Sequence, residues 1–190
     1  MQPSLLIVGG GLLQGPAVER AKELGYFTIV TDKNENAPAF SICDEKVFLS
    51  SKDIEGHELL AKKFRETKNL AGVYTQGTDV EYTVARAANY ANLPGISVDA
   101  AQYCNNKILM RTRLSEQNVD NAKFFAAKTL DNAYDAVKNI GIPCILKPAD
   151  NSASRGVTII HSESEIKNAF EVAINSIPSF LGLSKGNLPE

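Results

Sequence analysis

The stretch LKPADNSASRGVTII, which begins at Leu146, places a lysine after an apolar run and then a series of small and polar residues. Small side chains let the backbone approach a ligand closely, so main-chain N–H groups and hydroxyls can surround phosphate oxygens. Lys147 supplies a compact positive charge at one end of this loop, and Arg155 supplies a planar donor fork at the other. The pattern therefore favours phosphate binding, although an exposed hairpin with a solvated tip has the same composition.

The position of Lys147 adds a geometric argument. Successive side chains of a strand point to opposite faces, so a strand from Cys144 to Lys147 would pack Leu146 on the core and project Lys147 from the other face. A second lysine, Lys107, occurs 40 residues earlier in NNKILMRTRL, near the start of a predicted helix. Taken alone, a lysine in that position is typical of a solvated helix surface.

A glycine-rich turn, VGGGLLQGPA, separates the first predicted strand from the first predicted helix. Backbone N–H groups in such a turn can point at an anion. Asp32 ends the second predicted strand 21 residues after Gly11, a separation typical of the acidic ribose contact in dinucleotide-binding folds. The pattern thus allows ligand contact, or a tight turn in which Asp32 caps a loop.

The spacing of these glycines argues against the two common phosphate motifs. From Gly9 it runs GxGxxxG, and Gln14 stands where the third glycine of a dinucleotide-binding turn would fall. A P-loop would need a lysine and a serine or threonine where Pro16 and Ala17 occur. The tight turn is therefore the favoured interpretation, and anion or substrate contact is the alternative.

Strands and helices alternate through the first half of the chain. Apolar runs predict strands, and apolar residues at helical spacing predict helices. The strands are predicted at Leu5 to Val8, Phe27 to Val30, Lys46 to Leu49 and Leu70 to Tyr74; the helices at Pro16 to Leu24, Glu55 to Thr67 and Asp79 to Ala91, with Asp79 as an N-cap. This order predicts an α/β unit with a mostly parallel sheet covered on both faces.

The pattern changes around Asn92-Leu93-Pro94-Gly95, and we place a domain boundary near residue 96. The second half is predicted to be α+β. Its helices are predicted at Asp99 to Cys104, Asn106 to Gln117, Asp131 to Ile140 and Glu163 to Ile174, and its strands at Ala122 to Thr129, Cys144 to Lys147 and Gly156 to His161. The remaining residues, NSIPSFLGLSKGNLPE, predict an irregular tail.

The composition excludes several classes of protein. Lys and Arg total 20 against 22 Asp and Glu, so the net charge of -2 disfavours nucleic acid or an anionic membrane as a partner. No segment approaches the ~20 apolar residues of a membrane span, and we expect a cytoplasmic protein. The cysteines Cys43, Cys104 and Cys144 are odd in number and widely spaced, which predicts buried reduced thiols rather than disulfides. No spacing of cysteine and histidine predicts a zinc site.

Three of these features occur together in one family. They are the GGG turn, the Asn106-Lys107-x-x-Met110 sequence before a helix, and Lys147-Pro148 followed by a small-residue loop that ends in RGV. With them the chain, from Leu5 to Ala173, resembles the ATP-grasp superfamily of carboxylate ligases, which includes biotin carboxylase, carbamoyl-phosphate synthetase and the L-amino acid ligases. Each motif is weak alone, and the combination is fairly specific.

The resemblance implies a domain plan and a nucleotide site. Residues 1–96 correspond to the Rossmann-like pre-ATP-grasp domain, residues 97–175 to the first ATP-grasp subdomain, and residues 176–190 to a tail. In the family, the two matching lysines contact the phosphates and the adenine edge of ATP, and the matching loop closes on the β- and γ-phosphates. The resemblance therefore assigns ATP binding to Lys107, Lys147, Asn151, Ser152, Ala153, Ser154, Arg155 and Gly156.

The reaction implied by the resemblance is acyl-phosphate chemistry. ATP phosphorylates a small-molecule carboxylate, and an amine, a thiol or another nucleophile then displaces phosphate, with Mg²⁺ as the accompanying ion. The family's second subdomain, with its acidic metal ligands in an E…ExN pattern, has no counterpart in this sequence. We therefore assign no metal ligands, and we expect a truncated ATP-grasp chain that is inactive alone and that forms a homo-oligomer or joins a complementary chain.

Candidate substrate contacts lie in the first half of the chain. Ligands of open α/β sheets bind beyond the carboxyl ends of the strands, which favours Gly10, Gly11, Gln76 and Asp79 as substrate-binding residues. Two alternatives to the ligase remain. One is a nucleotide-binding module or subunit without catalysis, and the other is an NAD(P)-binding Rossmann protein that uses Gly9, Gly11 and Asp32. The second alternative leaves Lys107, Lys147 and the serine-containing loop unexplained.

Overall fold

The computed structural model describes residues 2–151 and 153–176. The chain forms two compact units, Met1–Gln102 and Tyr103–Glu190. The domain limits 1–96, 97–175 and 176–190 stay predictions, and of the last range only Ser176 lies among the described residues. Every helix in the described part of the chain is too short or too polar to cross a membrane.

Four parallel strands form the sheet of the first unit, in the order β3-β2-β1-β4. The strands are β1 (Ser4–Val8), β2 (Phe27–Asp32), β3 (Glu45–Phe48) and β4 (Leu70–Tyr74). Helices α1 (Gly15–Glu23), α2 (Ile54–Thr67) and α3 (Glu81–Tyr90) follow β1, β3 and β4, and a short 3-10 helix (Pro38–Ser41) lies between β2 and β3. The predicted α/β unit with a parallel sheet is confirmed.

Both faces of this sheet are buried, as the apolar runs in β1 and β2 require. Leu6 and Ile29 belong to a core on one face that includes Phe64 of α2 and alanines of α3. Their chain neighbours Ile7 and Val30 belong to the core on the opposite face, which includes α1 and the 3-10 helix. Because strand side chains alternate, only a sheet covered on both sides can bury such continuous runs.

The start of α3 corrects one prediction. The sequence predicted Asp79 as the N-cap, but the N-cap position is held by Val80, and the helix begins at Glu81. Val80 is buried, at 6% exposure, whereas Asp79 is exposed. The N-cap position therefore lies one residue later than the preference of aspartate for a cap predicted, and a side chain packed in the core occupies it.

The second unit pairs a small hairpin with two helices. Strands β5 (Cys144–Leu146) and β6 (Thr158–Ile160) are antiparallel, and α6 (Leu130–Ile140) and α7 (Ile166–Asn175) pack on them through a core of Ala133, Val137, Ile160, Ile166 and Ala169. Helix α4 (Val98–Asn105) crosses the division between the units, and α5 (Lys107–Glu116) follows it. The side chain of Asn106 caps α5 by accepting hydrogen bonds from the N–H groups of Ile108 and Leu109.

The predicted strand from Ala122 to Thr129 is wrong. This segment forms no strand, and it belongs to neither sheet of the described residues. It lies against α6 instead, where the ammonium of Lys123 donates to the backbone oxygen of Asn139, and Ala127 packs on the core. The apolar run FFAA favoured a strand from side chains alone, and pairing with a neighbouring strand is a tertiary property that such a run does not determine.

The three cysteines are free thiols, as predicted. Cys43 and Cys144 are partly buried, whereas Cys104 is exposed. The prediction that all three thiols are buried is therefore wrong. The largest departure is Cys104 on α4, which is exposed.

A buried histidine links α2 to the sheet. His57 is fully buried, its Nδ1 lies 2.7 Å from the backbone oxygen of Asp53, and its Nε2 lies 2.9 Å from the hydroxyl of Thr31. A carbonyl only accepts, so Nδ1 carries the proton and Nε2 accepts from the threonine. Burial lowers the pKa of the imidazole, and the nearby Asp53 opposes this only in part.

We expect His57 to make the stability of the first unit pH-dependent. Because its pKa is lower in the folded than in the unfolded chain, the unfolded chain binds more protons as the pH falls below ~6.5, and the free energy of unfolding decreases. Urea denaturation between pH 5 and pH 8 measures this slope. His57→Gln should flatten it, whereas His161→Gln, which removes an exposed histidine, should leave it intact. Equal slopes in the wild type and His57→Gln would contradict the assignment.

Candidate functional site

The glycine turn after β1 is closed by Asp32. One carboxylate oxygen accepts from the N–H of Gly10 and the other from the N–H of Asn34, each at 2.8 Å. Gly9 has a φ of 93° and donates its N–H to the backbone oxygen of Thr31 at 2.9 Å. These bonds support the interpretation in which Asp32 caps a tight turn. The carboxylate that a dinucleotide would need for its ribose holds the turn instead.

Gln14 fills the interior of this turn. Its side chain is buried, and its amide nitrogen donates to the backbone oxygen of Gln76 in the loop after β4. A Cβ atom on Gly11 would lie 3.1 Å from the Gln14 side-chain oxygen, so the glycine leaves the space that this amide occupies. In the sequence, Gln14 is only a mismatch to a glycine motif, and the contact with Gln76 has no sequence signal.

The structure brings three of the four proposed substrate contacts to one edge of the sheet. Gly10 and Gly11 follow β1, and Gln76 follows its neighbour β4, so all lie at the carboxyl ends of adjacent strands. A Cβ atom on Gly10 would lie 2.9 Å from that of Ala37, so this glycine is also required for packing. Asp79 is exposed further along the same loop. Substrate binding by these residues stays a prediction.

The β5–β6 hairpin has one face on the core and one in solvent. Leu146 and Ile160 pack on the core of the second unit, whereas Ile145 and Ile159 are opposite each other in the register and are 58% and 54% exposed. Lys147 is exposed as well, and it directly follows the last residue of β5. The exposed apolar pair therefore lies close in the chain to an exposed ammonium group.

The loop from Asp150 to Val157 contains unusual backbone angles. Ala153 and Ser154 have φ values of 53° and 57°, which residues other than glycine rarely adopt. Gly156 has a φ of 74°. A Cβ atom on Gly156 would collide with the side chain of Ser176 and lie 2.9 Å from Pro148. Such angles persist where surrounding contacts hold them, and they are frequent at ligand sites. Ser152, another predicted ATP contact, lies outside the described residues.

Lys107 and Arg155 meet at Asn151. The ammonium of Lys107 donates to the backbone oxygen of Asn151 at 2.5 Å, and the Nε of Arg155 donates to its side-chain oxygen at 3.0 Å. The backbone N–H of Lys107 donates to the oxygen of Ala149 at 2.8 Å, which joins the start of α5 to the loop. The tertiary structure thus brings Lys107 to the polar loop, as the resemblance requires, and ATP binding by these residues stays a prediction.

The acidic residues at the start of α7 and within it are Glu163, Glu165 and Glu171. The backbone N–H of His161 donates to the Glu165 carboxylate at 2.9 Å, and this bond lowers the pKa of that carboxyl group. Glu163 and Glu171 are exposed. Among residues 2–151 and 153–176, no three His, Cys, Asp or Glu side chains are grouped to hold a metal ion. These residues therefore do not provide a metal site of their own.

The chain was compared with known proteins. Residues 106–185 match the model of the family described as carbamoyl-phosphate synthase L chain, ATP binding domain. The formate-dependent phosphoribosylglycinamide formyltransferase of Methanocaldococcus jannaschii is 28% identical over 170 residues, which are 88% of this chain and 43% of that protein. The chain therefore spans less than half the length of this relative.

Solved structures also match most of this chain with less than half of their own length. Phosphoribosylglycinamide synthetase from Anaerococcus prevotii has a TM-score of 0.64 and 28% identity, over 92% of this chain and 43% of that one. N5-carboxyaminoimidazole synthetase from Staphylococcus aureus complexed with ADP has a TM-score of 0.75 over 92% of this chain and 45% of that one, and at 18% identity it shows the fold alone.

The described fold is α/β, and the sequence and structure comparisons both point to one superfamily. The resemblance predicted from the sequence is confirmed, and the chain matches the N-terminal part of the ATP-grasp fold.

We expect Asp32→Ala to destabilise the first unit by about 1–3 kcal/mol, because two backbone N–H groups of the turn lose their acceptor. Urea denaturation at pH 7 measures the change. Glu35→Ala removes an exposed carboxylate from the same loop and should change stability by less than ~0.5 kcal/mol. An unchanged stability of Asp32→Ala, together with NADH binding that this variant abolishes, would restore the dinucleotide interpretation.

Proposed function

We propose that this chain forms the ATP-binding portion of an ATP-grasp ligase, which joins a carboxylate to an amine or a thiol through an acyl phosphate. The observation that carries the proposal is the meeting of Lys107 and Arg155 at Asn151, in the loop that follows Lys147. A loop of small residues with cationic groups around it is suited to the charge of a triphosphate. The matches to ATP-grasp proteins support the same function.

The exposed side of the β5–β6 hairpin suits the rest of the nucleotide. We propose that the purine packs on Ile145 and Ile159, which are exposed and directly opposite each other. Nucleotide sites combine apolar walls for the base with a few polar groups for orientation. Lys147 directly follows β5, so a nucleotide with its base on the isoleucines can extend its phosphates towards the lysine and the polar loop.

The proposed chemistry proceeds in two displacements. A carboxylate oxygen attacks the γ-phosphorus of ATP, the bond to the bridging oxygen breaks, and ADP leaves with the electron pair. An amine or thiol then attacks the carbonyl carbon of the acyl phosphate, loses its proton, and expels inorganic phosphate. In such transfers the protein mainly positions the reactants and stabilises charge. We assign these roles to Lys107, Lys147, Arg155 and the loop N–H groups.

Magnesium is proposed to enter with the nucleotide. Mg²⁺ is usually bound by substrate phosphates and one or two carboxylates, and it would neutralise part of the β- and γ-phosphate charge. Because the described residues contain no cluster of metal ligands, we assign no residue of this chain to the ion and derive no step from it.

The carboxylate and the acceptor are proposed to bind at the carboxyl edge of the first sheet, near Gly10, Gly11, Gln76 and Asp79. The relatives named formate-dependent phosphoribosylglycinamide formyltransferases make formate and phosphoribosylglycinamide the first pair to test. The second candidate function is nucleotide binding without catalysis, by this chain as a subunit of a homo-oligomer or with a complementary chain. Formation of ADP that depends on a carboxylate distinguishes the ligase from this alternative.

We expect Lys147→Ala to weaken the binding of ATP with Mg²⁺ by about 1–3 kcal/mol, because a charged hydrogen-bond donor to phosphate is lost. Isothermal titration calorimetry measures the change. Lys138→Ala removes an exposed lysine from α6 of the same unit and should bind ATP like the wild type. An unchanged affinity in Lys147→Ala would remove this lysine from the site, and an absence of ATP binding by the wild-type chain would refute the proposed function.

A further inference from the structure

The polar loop contains a buried amide. Asn151 is 6% exposed, although it lies in a loop and next to the candidate phosphate site. A buried amide that lacks hydrogen bonds is costly, so its contacts determine where it can lie. Among the described residues, those contacts connect Asn151 to the end of α7, to the start of α5 and to Arg155 of the same loop.

The first connection is to the end of α7. The amide nitrogen of Asn151 donates to the backbone oxygen of Ser176 at 2.7 Å, and Ser176 is the C-cap of that helix. Carbonyl groups at the end of a helix have no partner within the helix, so this bond satisfies one of them. Gly156 approaches the same residue closely, because a Cβ atom on it would collide with the Ser176 side chain. Both ends of the loop therefore rest on the end of α7.

The other two connections are to cations. The side-chain oxygen of Asn151 accepts from Arg155, and its backbone oxygen accepts from the ammonium of Lys107. The side chain of asparagine carries no charge, so it orients Arg155 without neutralising it. The bond to Lys107 uses the backbone oxygen, whose position the side chain fixes through its bond to Ser176. An aspartate here would orient Arg155 equally well but would cancel one positive charge. The neutral residue is therefore suited to a site whose ligand is an anion.

We propose that Asn151 is a positioning residue of the phosphate site, which fixes Lys107 and Arg155 to the end of α7 so that both are directed at the phosphates of a nucleotide. This inference rests on the proposed function. It adds that Asn151 makes the site select ligands by their phosphate groups. Asn151 acts through the two cations. Its loss should therefore affect ligands according to their phosphates and leave the binding of the base unchanged.

The test is calorimetry with ATP, inorganic tripolyphosphate and adenosine on the 190-residue chain. Asn151→Ala should weaken the binding of ATP and tripolyphosphate about tenfold or more, as expected for lost hydrogen bonds to charged groups, and should change adenosine binding by less than about twofold. The matched control is Asn121→Ala, since Asn121 also bonds an arginine, Arg111, in the same unit. This control should bind all three ligands like the wild type.

A second variant separates positioning from plain structural support. Asn151→Asp preserves the size of the side chain and the acceptor for Arg155, but it loses the donor to the Ser176 carbonyl and adds a negative charge. Both variants therefore lose the bond to α7, and only the aspartate also cancels a positive charge. The inference expects ATP and tripolyphosphate binding to fall further in Asn151→Asp than in Asn151→Ala, with adenosine binding within about twofold of the wild type in both. A purely structural role would predict that adenosine binding falls together with ATP binding.

The outcomes are distinguishable. ATP binding by the wild type with unchanged affinity in both Asn151 variants would overturn the inference and leave the proposed function in place. An equal loss of ATP and adenosine binding in Asn151→Ala would also overturn it, because that loss reports a disrupted fold. If the wild-type chain binds neither ATP nor tripolyphosphate, the proposed function fails and the inference fails with it.

Discussion

Buried polar groups need hydrogen-bond partners, and in this protein that requirement shapes both loops at which ligands are proposed to bind. In the first unit, the buried side chain of Gln14 joins the turn after β1 to the loop after β4. In the second unit, the buried side chain of Asn151 joins the loop after β5 to the end of α7. In each loop one buried side-chain amide forms a hydrogen bond to a distant backbone oxygen, and small residues near that amide leave the backbone accessible.

The two loops differ in charge, and this difference separates their proposed roles. Lys107 and Arg155 are both hydrogen-bonded to Asn151, and Lys147 is exposed at the start of that loop. In the glycine turn, by contrast, the charged residue at the centre is Asp32, and its carboxylate accepts from backbone N–H groups. A triphosphate is therefore suited to the second unit. A substrate recognised mainly by neutral hydrogen-bonding groups is suited to the sheet edge of the first.

Fold likeness alone does not determine the substrate. Chains with different names, among them phosphoribosylglycinamide synthetase and N5-carboxyaminoimidazole synthetase, have TM-scores of 0.64 and 0.75 against this protein. Proteins that share a scaffold can act on different substrates, because specificity depends on individual loops and side chains. In this chain the proposed substrate contacts lie in the loops at the carboxyl ends of β1 and β4, and Gln14 joins these two loops through its bond to Gln76.

Local patterns in the sequence were sufficient for the first unit. Its continuous apolar runs and the helices between them predicted a parallel sheet buried on both faces, because no other arrangement hides such runs from water. The motifs around Lys107 and Lys147 likewise predicted an ATP-grasp resemblance. Tertiary structure alone decided the rest: that residues 122–129 pair with no described strand, that Val80 and not Asp79 is the N-cap of α3, and that Asn151 holds Lys107 and Arg155. Each of these depends on which distant groups meet, and hydrogen bonds and packing between residues far apart in the chain leave no periodic signal in its sequence.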